Sequence, residues 1–174
     1  VNSPISPYAA SKKAAEVTGF TYHHLFGIDV SVVRYFTVYG PAGRPDMSLF
    51  RFIQWIDKGL PVDLSGDGSQ RRDFTYVDDA ADGIVAAATR IMCRNMTFNI
   101  TKSHSVSLLQ AAEMIVKIVG KGTIECRDKD ADFPSRGALN IDAARRDFDF
   151  NPKVDVEEGF QKYHDWFKSS PFWK

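Results

Sequence analysis

The sequence predicts an α/β fold with a largely parallel sheet. Segments with helical periodicity alternate with short strand-like segments, and the latter are rich in β-branched and aromatic residues. The chain has 174 residues, of which 44% are hydrophobic and 25% charged, as in ordinary globular proteins. This length suits one compact domain or part of a larger one.

The first two elements follow from local sequence signals. A helix is predicted over residues 7–26, because Ser6 suits the N-cap, Pro7 the first turn and Gly27 the end. The run DVSVVRYFTVYG, residues 29–40, predicts a buried strand. The chain should therefore open with a helix followed by a strand.

A loop and a second helix come next. The run GPAGRP, residues 40–45, predicts a loop because its prolines and glycines interrupt regular backbone pairing. Apolar residues at helical spacing predict a helix over residues 46–58, which Gly59 would end. The capping-box pair Ser107 and Gln110 marks the start of another helix. The remaining predicted elements are a strand within residues 61–70, helices over 77–91, 108–119, 142–148 and 155–167, and strands over 97–100 and 123–126.

Charge and cysteine usage exclude several classes of partner. Lys+Arg and Asp+Glu are equal at 22 each, so we expect no bulk attraction to nucleic acid or to a membrane. No apolar run approaches bilayer length, and no signal peptide is expected. Cys93 and Cys126 lie far apart without a CxxC pair, which fits reduced thiols in a cytoplasmic protein. His23 and His24 are adjacent and would point about 100° apart on a helix, so we expect no metal site.

The start of the chain predicts a missing segment. Val1 is not an initiator methionine, and a helix begins almost at once. A nucleotide-binding α/β sheet should begin with a glycine-rich turn, yet neither GxGxxG nor GxxGxxG occurs in the sequence. We therefore expect either that the protein binds no dinucleotide or that the dinucleotide-binding half lies upstream of Val1.

Four sequence motifs follow one another along the chain, and their order is informative. They are SPYAASK, VVRYFTVYGPAGRPDM, GDGSQRRDFTYVDD and PSRGALNIDAARRDFDFNPKVDVEEG. Together they resemble the C-terminal half of extended short-chain dehydrogenases/reductases of the NAD-dependent nucleotide-sugar epimerase/dehydratase family. The TVYGPxGRPDM stretch is most similar to UDP-glucuronate 4-epimerases. In UDP-glucose 4-epimerases an asparagine usually follows YF, and Thr37 stands at that place here.

The resemblance implies a particular domain organisation. It implies the C-terminal half of a Rossmann-like parallel-sheet domain, interleaved with a small α/β substrate-binding domain. Residues 1–45 and 75–102 would be the remainder of the NAD-binding domain, and residues 46–74 and 103–174 the nucleotide-sugar-binding domain. The cofactor would be NAD, with most of its binding half missing from this chain. The glycine-rich loop and an assisting serine or threonine would belong to that missing half.

Tyr8 and Lys12 are the candidate catalytic pair. Their four-residue spacing puts them on one helix face, and a neighbouring ammonium favours ionisation of a phenol, whose pKa is otherwise about 10. The resemblance implies that Tyr8 removes a proton from the sugar 4-hydroxyl while hydride leaves C4 for NAD. Lys12 would also hold the nicotinamide ribose, so both residues count as cofactor-binding. From spacing alone, an incidental pair on an amphipathic helix is the alternative.

The end of the predicted strand supplies further candidates. Ligands bind outside the carboxyl ends of strands in open α/β sheets, which directs attention to residues 35–38. The resemblance implies that Tyr35, Phe36 and Val38 border the cofactor and that Thr37 faces the sugar. A buried aromatic strand end is the alternative for Tyr35 and Phe36.

Three arginines are candidates for substrate binding. Arg44 lies in the Pro/Gly-rich loop, where a guanidinium can bind the C5 carboxylate of a glucuronate in bidentate fashion. The resemblance implies that Arg72 and Arg136 contact the UDP diphosphate. A solvated loop arginine is the alternative for Arg44, and a shifted alignment is the alternative for Arg136.

These observations predict an NAD-dependent isomerase. We expect epimerisation at C4 of a UDP-sugar, from UDP-glucuronate to UDP-galacturonate through a 4-keto intermediate, with this chain inactive alone. The alternatives are a UDP-glucose 4-epimerase, a nucleotide-sugar dehydratase or decarboxylase, and an incomplete UDP-sugar-binding or dimerising module. A sheet without its central strands exposes apolar edges, so we expect a homodimer or other self-association.

Overall fold

The computed structural model describes residues 3–128 and 137–171. Helices and strands alternate along most of it, as the sequence predicts. The helices are α1 (Pro7–Phe26), α2 (Ser48–Asp57), α3 (Val77–Thr89), α4 (Leu108–Val119), α5 (Asp142–Phe148) and α6 (Val156–Ser169). The strands are β1 (Val32–Tyr35), β2 (Val38–Tyr39), β3 (Val62–Ser65), β4 (Arg71–Asp73), β5 (Thr75–Tyr76), β6 (Thr97–Ile100), β7 (Ser105–Ser107) and β8 (Ile124–Arg127), with a short 3₁₀ helix at Ile91–Cys93.

Strand pairing within the described residues is mainly parallel. β1 pairs with β6, β2 with β5 and β3 with β8, all in parallel. β4 and β7 form an antiparallel pair. The mixed α/β class with parallel strands is therefore confirmed, while the predicted domain boundaries stay a prediction.

Helix α1 begins and ends where its sequence signals predict. The Ser6 side chain accepts a hydrogen bond from the Ala9 amide at 3.1 Å, which caps the first turn. Gly27 adopts a positive φ of 66° at the other end, and its amide donates to the His23 carbonyl at 2.9 Å. None of the residues of α1 is buried.

The prediction of one buried strand over residues 29–40 is wrong. The segment forms two short strands separated at Phe36 and Thr37, and β1 is half-buried or exposed along its length. Thr37 has a positive φ of 35°, which no continuous strand allows. In the part of the chain that the structure describes, β1 has a paired strand on one edge only, so its side chains are incompletely covered.

The sequence analysis did not predict three further strands, because they are very short. β4, β5 and β7 have two or three residues each, too few for alternation to be visible. The other predicted elements agree with the structure to within a few residues, and the capping box at Ser107 and Gln110 is present.

Two apolar clusters hold these elements together. The larger cluster joins α2, α4 and α6 to strands β2, β3, β5 and β7, and at its centre the Tyr39 ring makes edge contacts with neighbouring aromatic rings. The smaller cluster joins β6 to α5, and the Phe98 and Phe148 rings meet edge-on there at 5.0 Å. The larger cluster fixes α6 against the strand end that carries the predicted site.

The described residues contain neither a helix suited to crossing a bilayer nor a cluster of metal ligands. None of their helices combines the length and the apolar character that crossing a bilayer requires. Among the same residues, no three His, Cys, Asp or Glu side chains gather as metal ligands would.

The contact between Gly159 and Tyr39 yields a stability prediction. A Cβ at Gly159 would lie 2.0 Å from the Tyr39 hydroxyl oxygen, so Gly159→Ala must displace a ring that is packed on all sides. The gain in helix propensity, about 1 kcal/mol, opposes this clash only in part. We expect the free energy of unfolding, measured by urea denaturation, to fall by about 2 kcal/mol.

Gly137→Ala is the control, because a Cβ there meets no atom of the described residues within 4 Å. It should change the free energy of unfolding by less than about 0.5 kcal/mol. Equal effects of the two substitutions would contradict the packing argument.

Candidate active site

The amino-terminal half of α1 presents the candidate catalytic pair. The Lys12 ammonium lies over the Tyr8 ring, 5.4 Å from its centroid, so both side chains share one face of the helix. The Tyr8 side chain is largely open to solvent, with the residue 69% exposed. A phenol with an ammonium beside it can act as a general base once a substrate hydroxyl reaches it.

The break between β1 and β2 is held by a buried threonine. The Thr75 amide donates to the Thr37 carbonyl at 3.2 Å, and its hydroxyl donates to the Phe36 carbonyl at 3.2 Å. The same hydroxyl oxygen accepts the Lys102 amide at 3.1 Å. A β-branched residue at positive φ costs about 1–3 kcal/mol, so Thr37 keeps this conformation because its surroundings enforce it.

Tyr35 stands just before this break, at the open edge of the site. It is 43% exposed, and partial burial raises the pKa of its hydroxyl, which stays protonated at neutral pH. Part of the Tyr35 side chain is therefore open to solvent at the strand end.

The loop after β2 presents Arg44 at the surface. The Gly43 amide donates to the Gly40 carbonyl at 3.0 Å, and a Cβ at Gly43 would approach that carbonyl to 2.9 Å. This turn therefore requires glycine. Arg44 Nη2 lies 3.2 Å from Asp46 Oδ2 and 3.5 Å from Met47 Sδ, and its side chain is 74% exposed.

Thr37 and Arg44 line one pocket. Its other lining residues include Met47 and Ser48 at the start of α2 and Tyr163 from α6. The enclosed volume is about 20 Å³, which holds roughly one water molecule and no sugar. The pocket can therefore be only one part of the candidate sugar site, the part that Thr37 and Arg44 border.

Tyr163 was missed by the sequence analysis. Its place in an amphipathic helix indicates core packing, and its ring does stack on Trp166 at 5.7 Å. Its hydroxyl nevertheless borders the pocket, and burial raises its pKa to about 12, so it remains a neutral donor at physiological pH. No sequence signal distinguishes this tyrosine from an ordinary core residue.

Arg72 lies on β4, apart from the Thr37 pocket. Its Nη1 donates to the Arg71 carbonyl at 2.8 Å. Arg71 points the other way and donates to the hydroxyl and the carbonyl of Ser105 on the paired strand β7. Arg136, the other arginine predicted to bind the diphosphate, lies outside the described residues.

A larger pocket lies between α2 and β3. It has a volume of about 280 Å³, and Ser48 lines both this pocket and the smaller one, so the two are neighbours. Its remaining walls come from α2, β3, β8, the start of α4 and the turn that carries Gln70. They are formed by Arg51, Phe52, Trp55, Asp63, Leu64, Ser65, Gln70, Leu108 and Arg127.

Polar groups line this pocket, and most of them have partners within it. The Arg51 guanidinium lies 4.5 Å from the Trp55 ring centroid, and Arg127 Nε lies 3.0 Å from Asp63 Oδ1. Gln70 donates to the Ser65 carbonyl at 2.8 Å, while its own carbonyl oxygen is buried and meets no hydrogen-bond donor among the described residues. The sequence analysis missed this pocket because PVDLSGDGSQ indicates only a strand and a polar turn.

Comparisons with known proteins agree on one family. The family model described as "NAD dependent epimerase/dehydratase family" matches residues 1–101. A UDP-glucuronate 4-epimerase of Thermodesulfobacterium geofontis is 43% identical to this chain. The aligned region covers 98% of this chain and 53% of that protein.

Two solved structures have the same fold. One is a UDP-glucuronic acid 4-epimerase of Bacillus cereus in complex with UDP-glucuronic acid and NAD, with a TM-score of 0.89, 34% identity and coverage of 95% of this chain and 54% of that one. The other is a dTDP-glucose 4,6-dehydratase of Bacillus anthracis in complex with NAD, with a TM-score of 0.89, 27% identity and coverage of 98% and 55%. The chain therefore spans about half the length of these relatives.

The hydroxyl of Thr75 yields a second prediction. Thr75→Val keeps the shape of the side chain but removes the hydrogen bonds that the Thr75 hydroxyl makes with the Phe36 carbonyl and the Lys102 amide. We expect the free energy of unfolding to fall by about 1–3 kcal/mol in urea denaturation.

Thr89→Val is the control for this experiment. The Thr89 hydroxyl donates to the Val85 carbonyl within its own helix and is exposed, so its loss should cost less than about 0.5 kcal/mol. If Thr75→Val were as mild as the control, the buried hydroxyl would not hold the strand break.

Proposed function

Because this chain belongs to the NAD-dependent epimerase/dehydratase family, we propose that it supplies the substrate side of an NAD-dependent UDP-sugar 4-epimerase. The proposed reaction interconverts UDP-glucuronate and UDP-galacturonate through a 4-keto intermediate. The observation that carries the proposal is that Thr37 and Arg44 border the same small pocket, where a hydroxyl and a guanidinium can together bind the carboxylate of a sugar. The similarity to the UDP-glucuronate 4-epimerase of Thermodesulfobacterium geofontis supports the same substrate.

The residues of this chain fit the nicotinamide end of NAD. Tyr8, Lys12 and Tyr35 offer exposed polar and aromatic groups, with Phe36 and Val38 beside them at the strand end. The described residues include no glycine-rich phosphate loop, so other parts of the protein would bind the pyrophosphate. Bound NAD would supply the hydride acceptor, and Tyr8 would take the proton of the sugar 4-hydroxyl with the Lys12 ammonium beside its ring.

Arg44 would recognise the sugar carboxylate. Its present partner, Asp46, is itself a carboxylate and is 67% exposed at its side chain, so this ion pair is weak and a substrate carboxylate can exchange with it. The Thr37 hydroxyl would donate a hydrogen bond to the sugar, and the neutral hydroxyl of Tyr163 would line the same pocket.

The pocket between α2 and β3 would hold the nucleoside. Its volume of about 280 Å³ suits a base with part of its ribose. The Gln70 side-chain carbonyl, which meets no donor among the described residues, would accept the ring N–H of uracil, and Arg72 and Arg136 would bind the diphosphate. We further propose that residues 46–74 and 103–174 form the sugar-nucleotide domain and residues 1–45 and 75–102 belong to the NAD domain.

The alternatives differ in chemistry more than in fold. The dehydratase of Bacillus anthracis matches this chain with the same TM-score as the epimerase, so overall shape does not separate the two reactions. Thr37 and Arg44 favour a uronic acid over a neutral sugar such as that of UDP-glucose. We also propose that the protein forms a homodimer, which the exposed apolar side chains of α1 support. We further propose a cytoplasmic location, which the two free cysteines support.

Calorimetric titration of the protein with UDP-glucuronate, UDP-glucose and UDP tests the substrate assignment. We expect UDP-glucuronate to bind most tightly. Arg44→Ala should lower the affinity for UDP-glucuronate alone, by about 10- to 100-fold. The control is Arg146→Ala, which removes another exposed arginine that binds a carboxylate, that of Asp147. Equal affinity for all three ligands would overturn the glucuronate assignment and leave recognition of UDP alone.

Epimerase assays of the full-length protein test the role of Tyr8. Tyr8→Phe should lower kcat by at least about 100-fold, because it removes the proton acceptor, while UDP-glucuronate binding is retained. Tyr22→Phe is the control, since Tyr22 is an exposed tyrosine on the same helix. Comparable activity of the two variants would exclude Tyr8 as the base.

A further inference from the structure

Helix α1 is held against the rest of the described chain mainly by polar contacts. None of its residues is buried, so apolar packing within the described residues fixes its position only weakly. At Gly19 the helix does come close to the segment before β1, because a Cβ there would lie 3.1 Å from Val30 Cγ1. The stronger tie is polar and lies nearer to the candidate catalytic pair.

That tie is a bidentate ion pair between α1 and β1. Arg34 Nε lies 2.6 Å from Glu16 Oε1, and Arg34 Nη2 lies 2.6 Å from Glu16 Oε2. The side chains are sheltered, with 15% of Glu16 and 31% of Arg34 exposed. Two parallel bonds fix both distance and orientation, which a single contact cannot do.

Both partners are charged at neutral pH. The hydrogen bonds from Arg34 hold the pKa of Glu16 below its usual value, and the same bonds raise the pKa of Arg34. Lys13, on the same helix, adds a second cation 3.3 Å from Glu16 Oε2. This Lys13 contact stays within α1 and therefore does not join two elements.

The position of this pair in the sequence relates it to the site. Tyr8, Lys12 and Glu16 follow one another at four-residue intervals and so lie along one side of α1. Arg34 directly precedes Tyr35, at the strand end that leads to Thr37. The pair thus links the helix of the proposed base to the strand of the proposed sugar site.

We propose that Glu16 and Arg34 are positioning residues for the reaction, which set the distance between Tyr8 and the sugar site at Thr37. This inference rests on the proposed function. A displacement of about 1 Å between base and substrate can lower a rate by 100-fold. A partly exposed ion pair contributes little to global stability, so its loss should affect turnover far more than folding.

Kinetics of the full-length enzyme with UDP-glucuronate test the proposal. Glu16→Gln and Arg34→Gln should each lower kcat by about 10- to 100-fold and leave KM within about twofold. Combining them should lower kcat no further than the worse single variant, because either one alone breaks the pair. Arg34→Lys keeps the charge but not the fork, and should retain more activity than Arg34→Gln.

Lys13→Gln is the matched control, since it removes a charge beside Glu16 without breaking the link to β1. It should leave kcat unchanged, and thermal unfolding midpoints of all variants should stay close to that of the parent protein. An active parent enzyme whose kcat is unaltered by Glu16→Gln would overturn this inference alone, and so would an equal loss in Lys13→Gln. A parent enzyme that converts no UDP-sugar would instead overturn the proposed function and this inference with it.

Discussion

The buried hydroxyl of Thr75 is the contact on which the candidate site most depends. It bonds the Phe36 carbonyl and the Lys102 amide, while the Thr75 amide bonds Thr37. These bonds satisfy the backbone groups that the break between β1 and β2 removes from regular pairing. Because they are made inside the protein, they also hold Thr37 at a positive φ that it would not adopt alone.

The C-terminal helix is tied to the same region by two acidic residues. The buried carboxylate of Asp79 accepts the amides of Lys153 and Val154 at 2.8 and 3.0 Å. Lys102, whose amide Thr75 holds, places its ammonium 2.9 Å from Asp155. These contacts fix the entry of α6, which then carries Tyr163 to the pocket. A residue far along the chain thereby becomes part of a site centred on Thr37.

Local signals determined how much of this structure the sequence predicted. The bounds of α1 were predictable because a capping serine, a proline and a glycine act within a few residues. The break at Thr37 was not, since it depends on Thr75, which is distant in sequence. The same holds for Tyr163 and for the pocket at Gln70, whose roles arise from neighbours supplied by other elements. Arg44 was predictable as a loop residue, but its pairing with Asp46 required the structure.

Arg34 and Arg44 serve opposite requirements in the proposed site. Arg34 makes a sheltered bidentate pair with Glu16, whose two parallel bonds fix the distance and the orientation between α1 and β1. Arg44 makes a single exposed contact with Asp46, which contributes roughly 0–1 kcal/mol and is readily exchanged. A site that positions a base needs the persistent kind of pair, whereas a site that binds and releases a carboxylate needs the exchangeable kind. The difference in exposure between the two pairs is therefore itself an argument for assigning positioning to Arg34 and recognition to Arg44.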